Sequence, residues 1–179
     1  MGRQLPWWVA GGWALDLSLG RRTRRHADID IAVPRTAQAE LAVAFEGWDI
    51  RVASGGTLTP WVPGDWLEGG ARHQFWMRQD PSRGWMIEVL LEEGGPEWVF
   101  RRRPEVRRPW TAFGRRSVGG IPYVAPEVAL LYKAAAHQLE KNAADFDEVS
   151  PHLQADQRAW LARALAIAHP GHPWSARLT

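Results

Sequence analysis

The apolar positions change period along the chain, and the changes mark its elements. Trp7 to Ala10 is a short apolar run that stops at Gly11-Gly12. Beyond it Trp13, Leu15, Leu17 and Leu19 are interleaved with Ala14, Asp16 and Ser18 up to Gly20. Both periods fit the second stretch, but Ala-Leu-Asp-Leu is a fair helix former and Gly20 suits the position just past a helix end. The pattern therefore predicts a short strand, a glycine turn and a short helix. Ile29 to Val33 reads as a strand closed by Pro34, and Thr36 is placed to cap a helix from Ala37 to about Glu46. Strand signals follow at Trp48 to Val52, Leu58 to Val62, His73 to Met77 and, most strongly, Trp85 to Leu91, separated by glycine and proline. A basic connection, RRRPEVRRP, leads to a short strand around Ile121 to Val124. Pro126 then opens the clearest helical pattern, PEVALLYKAAAHQLEKN, with proline and an acid in the first turn. A shorter helix is expected over Asp145 to Leu153 and a last one over about Asp156 to Ala168.

The chain has 179 residues, 45% of them hydrophobic, enough for one sizeable core with a C-terminal helical region. Twenty-two basic residues against 20 acidic leave a net charge of +2, too small a field to argue for nucleic acid as a partner. The absence of cysteine excludes a disulfide framework and thiolate chemistry. The first apolar stretch is interrupted by Asp16 and two glycines and runs into arginines, which reads as neither signal peptide nor membrane span; a cytoplasmic protein is expected.

Candidate chemistry concentrates at Asp28 and Asp30, two carboxylates on one face of a strand whose other face carries Ile29, Ile31 and Val33. Like charges so close repel and are costly to dehydrate, so a cation should sit beside them. Glu88 interrupts the apolar strand WMIEVLLEE, with Glu92 and Glu93 as rivals for a third acid. Gly11 and Gly12, at a strand-to-helix junction, allow backbone N–H groups to approach a phosphate. Together these parts suit metal-assisted phosphoryl or nucleotidyl transfer. No P-loop is present. His26 is read as a local orienting residue, because magnesium has little taste for imidazole.

The stretch GGWALDLSLGRRTRRHADIDIAVPR resembles the signature of nucleotidyltransferases of the aminoglycoside and lincosamide adenylyltransferase type, within the DNA polymerase β-like superfamily. The later stretches EWVFRRRPEVRRP, GIPYVAPEVALLYKA and KNAADF are similar to further bacterial relatives, although only the first third is diagnostic. The chain departs from the pattern in three places. Family members usually carry a helix before the first strand, Glu88 stands where aspartate is more usual, and Lys141-Asn142 replaces a Lys-Asp pair.

The resemblance implies an α/β (α+β) nucleotidyltransferase fold, a mixed twisted β-sheet flanked by helices, with residues 1–124 as catalytic domain and 125–179 as a helical region packed on it. It implies transfer of AMP from ATP, or of another NMP from its NTP, to a hydroxyl of a small acceptor such as an aminoglycoside- or lincosamide-like antibiotic. Asp28, Asp30 and Glu88 would hold two Mg2+ ions, or Mn2+ in their place, with Glu88 also taking the hydroxyl proton. Gly11, Gly12, Arg24 and Lys133 would face the phosphates. A second copy of the chain is a candidate partner; a membrane is not expected. The alternatives are a toxin- or antitoxin-type enzyme modifying a protein or tRNA, for which RRRPEVRRP is the support, and a silent nucleotide-binding homologue.

Overall fold

The computed structural model describes residues 4–178. In chain order, β1 (Trp8–Val9) leads into α1 (Gly11–Leu19), β2 (Ile29–Pro34), a 3-10 turn (Arg35–Ala37), α2 (Gln38–Ala44), β3 (Asp49–Ser54), β4 (Thr57–Pro60), β5 (Gln74–Arg78) and β6 (Ile87–Gly94). Short pieces follow: β7 (Trp98–Val99), β8 (Arg107–Arg108), α3 (Trp110–Phe113), β9 (Gly114–Arg116) and β10 (Pro122–Val124). The C-terminal helices are α4 (Pro126–Ala134), α5 (Glu140–Val149) and α6 (Ala155–Ala168).

The main sheet runs in the order β4-β3-β5-β6-β2-β1-β10-β9, with β7 and β8 extending from β6. It is mixed: β2 pairs with β6 and β1 with β10 in parallel, while the other neighbours are antiparallel. Strand alternation divides the core between the two faces. Ile31, Val33, Val52, Phe75, Met77, Val89 and Leu91 point to one side and bury against Leu41 of α2. On the other side Ala32 packs with Ala14 and Leu15 of α1, Leu130 and Leu131 of α4, Leu165 of α6, and the fully buried Trp98 and Phe113. This second cluster draws on residues from both sides of position 124. Burying each such large side chain is worth about 1.5–3 kcal/mol, so the helices are held to the sheet chiefly by this layer.

Several sequence expectations shift. Gly11 and Gly12 form the first turn of α1 itself rather than a turn before it. Gly20 does end that helix in the left-handed conformation, with φ 68°. Thr36 lies inside the 3-10 turn and caps nothing, and α2 is correspondingly short. Trp85 and Met86 stand outside β6, which instead continues to Gly94. RRRPEVRRP is not wholly a loop, since Arg107 and Arg108 pair with Val99 and Trp98. The helix expected through Asn142 is broken after Ala134. The Asn142 amide donates to the Ala136 carbonyl at 2.9 Å, and the His172 imidazole meets the Ala134 carbonyl at 3.1 Å. Side chains from later in the chain thus take the carbonyls of the broken end, and tertiary contacts override helix propensity. The helix expected from Asp145 starts earlier, at Glu140, and ends at Val149 before a 3-10 turn.

Candidate active site

Asp28 lies one residue before β2 and Asp30 lies within it, and the parallel register sets Asp30 opposite Glu88 on β6. Side chains at paired positions of neighbouring strands share a face. One carboxylate oxygen from each of Asp28, Asp30 and Glu88 lies within 4.8 Å of the others. The rival acids go elsewhere. Glu93 points to the opposite face, where Arg35 binds it at 2.5 Å, and Glu92 is buried against Trp98 and Tyr132.

The electrostatics of the trio follow from that crowding. Burial, followed by the repulsion of Asp30, pushes the Glu88 carboxyl up to about 7, even though the Gln74 amide donates to it. Burial and then Asp28 likewise raise Asp30, with Lys133 pulling it back. Among the described residues no Lys or Arg forms a salt bridge to any of the three. Arg24 and Lys133, both within Coulombic reach of Asp30, are instead engaged by Asp145. Three hard oxygen donors with unbalanced charge are a donor set that suits a hard divalent cation.

Gly11 brings the α1 N-terminus onto this cluster. Its φ is +60°, and a Cβ at this position would overlap the Asp30 carboxylate, so the close approach needs glycine. At Gly12 a Cβ would come within 2.5 Å of the Arg24 guanidinium and the His26 ring. Lys133 shares a cavity of about 520 Å³ with Gly11, Gln74, Lys141 and Asn142. Neither this cavity nor a larger cleft of about 910 Å³ beside Trp7, Trp8 and Trp110 is lined by the three carboxylates; the smaller one adjoins them through Gly11, which lies against Asp30, and Gln74, which donates to Glu88. Arg24, by contrast, is tied down by a bidentate contact, Nε to Asp145 Oδ1 at 2.8 Å and Nη2 to Oδ2 at 3.0 Å.

Against known proteins, the family model described as aminoglycoside-2″-adenylyltransferase matches residues 2–54. Curated 2″-aminoglycoside nucleotidyltransferases of Escherichia coli and Klebsiella pneumoniae are 50% identical over 44 residues, which is 25% of this chain and 25% of each relative. The chain thus spans about a quarter of the length of the curated relatives it matches. The solved structure of ANT(2″)-Ia in complex with adenylyl-2″-tobramycin superposes with a TM-score of 0.57 at 20% identity, over 90% of this chain and 88% of that one. Lincomycin-bound LnuA, a lincosamide antibiotic adenylyltransferase, gives a TM-score of 0.54 at 18% identity, over 81% and 85%. The chain has the fold of these nucleotidyltransferases. In the N-terminal third, where the matched residues carry Gly11, Gly12, Asp28 and Asp30, the likeness extends to sequence.

Around these matched residues stand others that the sequence reading did not single out. Asp145 of α5 is 4% exposed in its side chain and bridges Arg24 to the Lys133 ammonium, which it meets at 2.8 Å. Burial pushes the Asp145 carboxyl up, but the bonds from Arg24 and Lys133 outweigh it and leave it below the ordinary range. The signal was present, since Asn142, Asp145, Phe146 and Val149 form the buried stripe of α5 at helical spacing, with an acid inside it. Asp16, also buried, accepts from the Thr23 amide and hydroxyl at 3.0 and 2.6 Å and meets His26 Nε2 at 2.6 Å. Those contacts, with Trp13 Nε1 donating to the Asp28 carbonyl at 3.0 Å, fix the loop that delivers Asp28. His26 therefore orients the loop, and it is not among the clustered ligand groups.

Proposed function

We propose that the protein transfers a nucleoside monophosphate, AMP from ATP in the first instance, to a hydroxyl of a small acceptor and releases pyrophosphate. The observation that carries this reading is the convergence of Asp28, Asp30 and Glu88 within 4.8 Å beside the glycine-opened N-terminus of α1. The similarity of residues 2–54 to aminoglycoside 2″-adenylyltransferases supports it and makes aminoglycoside- and lincosamide-like antibiotics the first acceptors to try.

Asp28, Asp30 and Glu88 would hold Mg2+, or Mn2+ in its place. When bound, such ions polarise phosphoryl oxygens and neutralise charge around the reacting phosphorus. The chain's own residues do the rest. The first-turn amides of α1 and the Lys133 ammonium offset the negative charge of the β and γ phosphates, and Asp145 holds Lys133 and Arg24 in place for them. Gln74 orients the Glu88 carboxylate, which takes the hydroxyl proton as the acceptor oxygen bonds to the α-phosphorus and the bond to the bridging oxygen of pyrophosphate breaks. Holding the two substrates together supplies most of the remaining advantage.

The test is pyrophosphate release from labelled ATP with Mg2+ and a panel of hydroxyl acceptors, alongside nucleotide binding. Metal-dependent release is expected. No release with any acceptor, together with no nucleotide binding, refutes the proposal.

A further inference from the structure

The strand order gives the three carboxylates two unlike sides. Gly11 opens α1 from the β1 side of β2 and lies against Asp30, so the first-turn amides reach the cluster from that side. Away from it the register continues across the sheet from Asp30 to Glu88 on β6, Trp76 on β5 and Arg51 on β3. Trp76 is thus the cross-strand neighbour of Glu88 on the acid-bearing face, with about 5 Å between Cβ atoms at such a pair. Two residues before Glu88, Met86 is 41% exposed. The helices do not cover this half of the face. Those of the C-terminal region and α1 bury Ala32 on β2, whereas the residues of β3 and β5 that share the acid face are all only partly buried. Their neighbours Ile50, Val52, Phe75 and Met77 point the other way into the core.

This half of the face suits a ring better than a phosphate. Arg51 and Arg78 both bind Asp49, at 2.6 and 2.7 Å, and the Arg78 guanidinium lies 4.3 Å over the Trp85 ring, so their charge is engaged locally. Trp85 meets Trp76 edge-on at 6.5 Å between centroids and braces the indole from one side. In-line displacement decides which substrate comes here, because the attacking and leaving oxygens lie on opposite sides of the α-phosphorus. With the β and γ phosphates at the α1 amides and Lys133, the leaving oxygen is on the β1 side. The attacking hydroxyl then arrives over β6, where Glu88 takes its proton, and the body of the acceptor extends over β5.

We propose that Trp76 contacts the acceptor: the saturated sugar or cyclitol ring that carries the reacting hydroxyl lays its C–H face on the indole, which favours ring hydroxyls over those of flexible chains. The inference rests on the nucleotidyl-transfer reading of the carboxylate cluster. Its physical basis is that an indole offers a large, rigid apolar face whose π-cloud also attracts ammonium groups, so it accepts neutral and amine-bearing rings alike.

Two measurements on the full chain test it, with an aminoglycoside and a lincosamide as probes. The first is calorimetry on protein saturated with a nonhydrolysable ATP analogue and Mg2+. Acceptor affinity should fall at least about tenfold in Trp76→Ala and return to within about threefold of wild type in Trp76→Phe, which keeps an aromatic face. In turnover the acceptor KM should rise while the KM for ATP moves less than about threefold. Equal acceptor affinity in wild type and Trp76→Ala overturns the assignment. So does a variant that loses the ATP analogue and keeps the acceptor, because Trp76 would then stack the base. The second measurement needs no alanine variant to fold. In protein carrying fluorinated tryptophan, the fluorine resonance missing from Trp76→Phe should shift when acceptor is added to the nucleotide-loaded protein, and an unmoved resonance overturns the contact. If neither probe binds the loaded protein, the ring class is wrong while nucleotide binding stands. Failure of the ATP analogue to bind the wild type strikes the transfer reading instead, and the fluorine spectrum with acceptor alone still reads Trp76.

Discussion

Glu88 is a carboxylate held at an energetic cost, and replacing it should show that cost. Its carboxyl is raised from 4.5 to about 7 by burial and then by Asp30. At about 1.36 kcal/mol per pKa unit the full shift corresponds to roughly 3 kcal/mol, which solvent screening of a partly exposed group reduces to about 1–2 kcal/mol. The sign follows from linkage. Between about pH 4.5 and 7 the folded protein holds a proton that the unfolded chain has released, so stability falls as pH rises through this window and stays lowered above it. Below pH 4.5 both states are protonated and the penalty vanishes. In the Glu88→Gln variant nothing titrates at this position, and a flipped Gln74 amide still pairs with the new side chain. In EDTA at pH 8 the variant should be more stable than wild type by about 1–2 kcal/mol, a rise of about 2–8 °C in Tm for a chain of this size. At pH 4.5 the difference should close. Added Mg2+ should stabilise the wild type at pH 8 and do little for the variant, because a ligand stabilises only the state that binds it. Thermal unfolding followed by the fluorescence of the 12 tryptophans reads all of these comparisons. A variant no more stable than wild type at pH 8 in EDTA, or a gap of the same size at pH 4.5, would refute the argument that burial and the neighbouring Asp30 raise Glu88.

Gly11→Ala forces a side chain into the left-handed region, at about 1–2 kcal/mol, and drives the Cβ into the Asp30 carboxylate. Turnover should fall by about two orders of magnitude with only a modest loss in Tm, and a near-normal rate would contradict the close approach. Asp145→Asn removes the shared anion of Arg24 and Lys133 and should destabilise the protein by about 3 kcal/mol. Mg-ATP should then raise the Tm of this variant more than that of the wild type, since the triphosphate supplies the missing charge; equal shifts in calorimetry would show that Asp145 is structural only. Asp30→Asn should abolish pyrophosphate release while leaving the metal-free protein as stable as before or more so, and full activity would remove Asp30 from the metal set.

What the sequence determined by itself is what lies close along the chain. Strand alternation put Asp28 and Asp30 on one face and Ile31 and Val33 on the other, and Gly20 marked the end of α1, because side-chain direction and left-handed φ are properties of a few consecutive residues. Glu88 and Glu92 share a parity, and Glu88 was preferred only for its place inside the apolar run. Only the parallel register of β2 with β6 sets Glu88, not Glu92, opposite Asp30, and register depends on packing across the whole sheet. The strands β7, β8 and β9, two or three residues each, were invisible because so short a piece has no period of its own and exists only by pairing. The helix break after Ala134 and the arrival of Asp145 between Arg24 and Lys133 were likewise decided in three dimensions. An α5 carboxylate, a loop arginine and an α4 lysine meet because the helices pack on one face of the sheet, and charge separated along the chain is balanced only once that packing closes the distance.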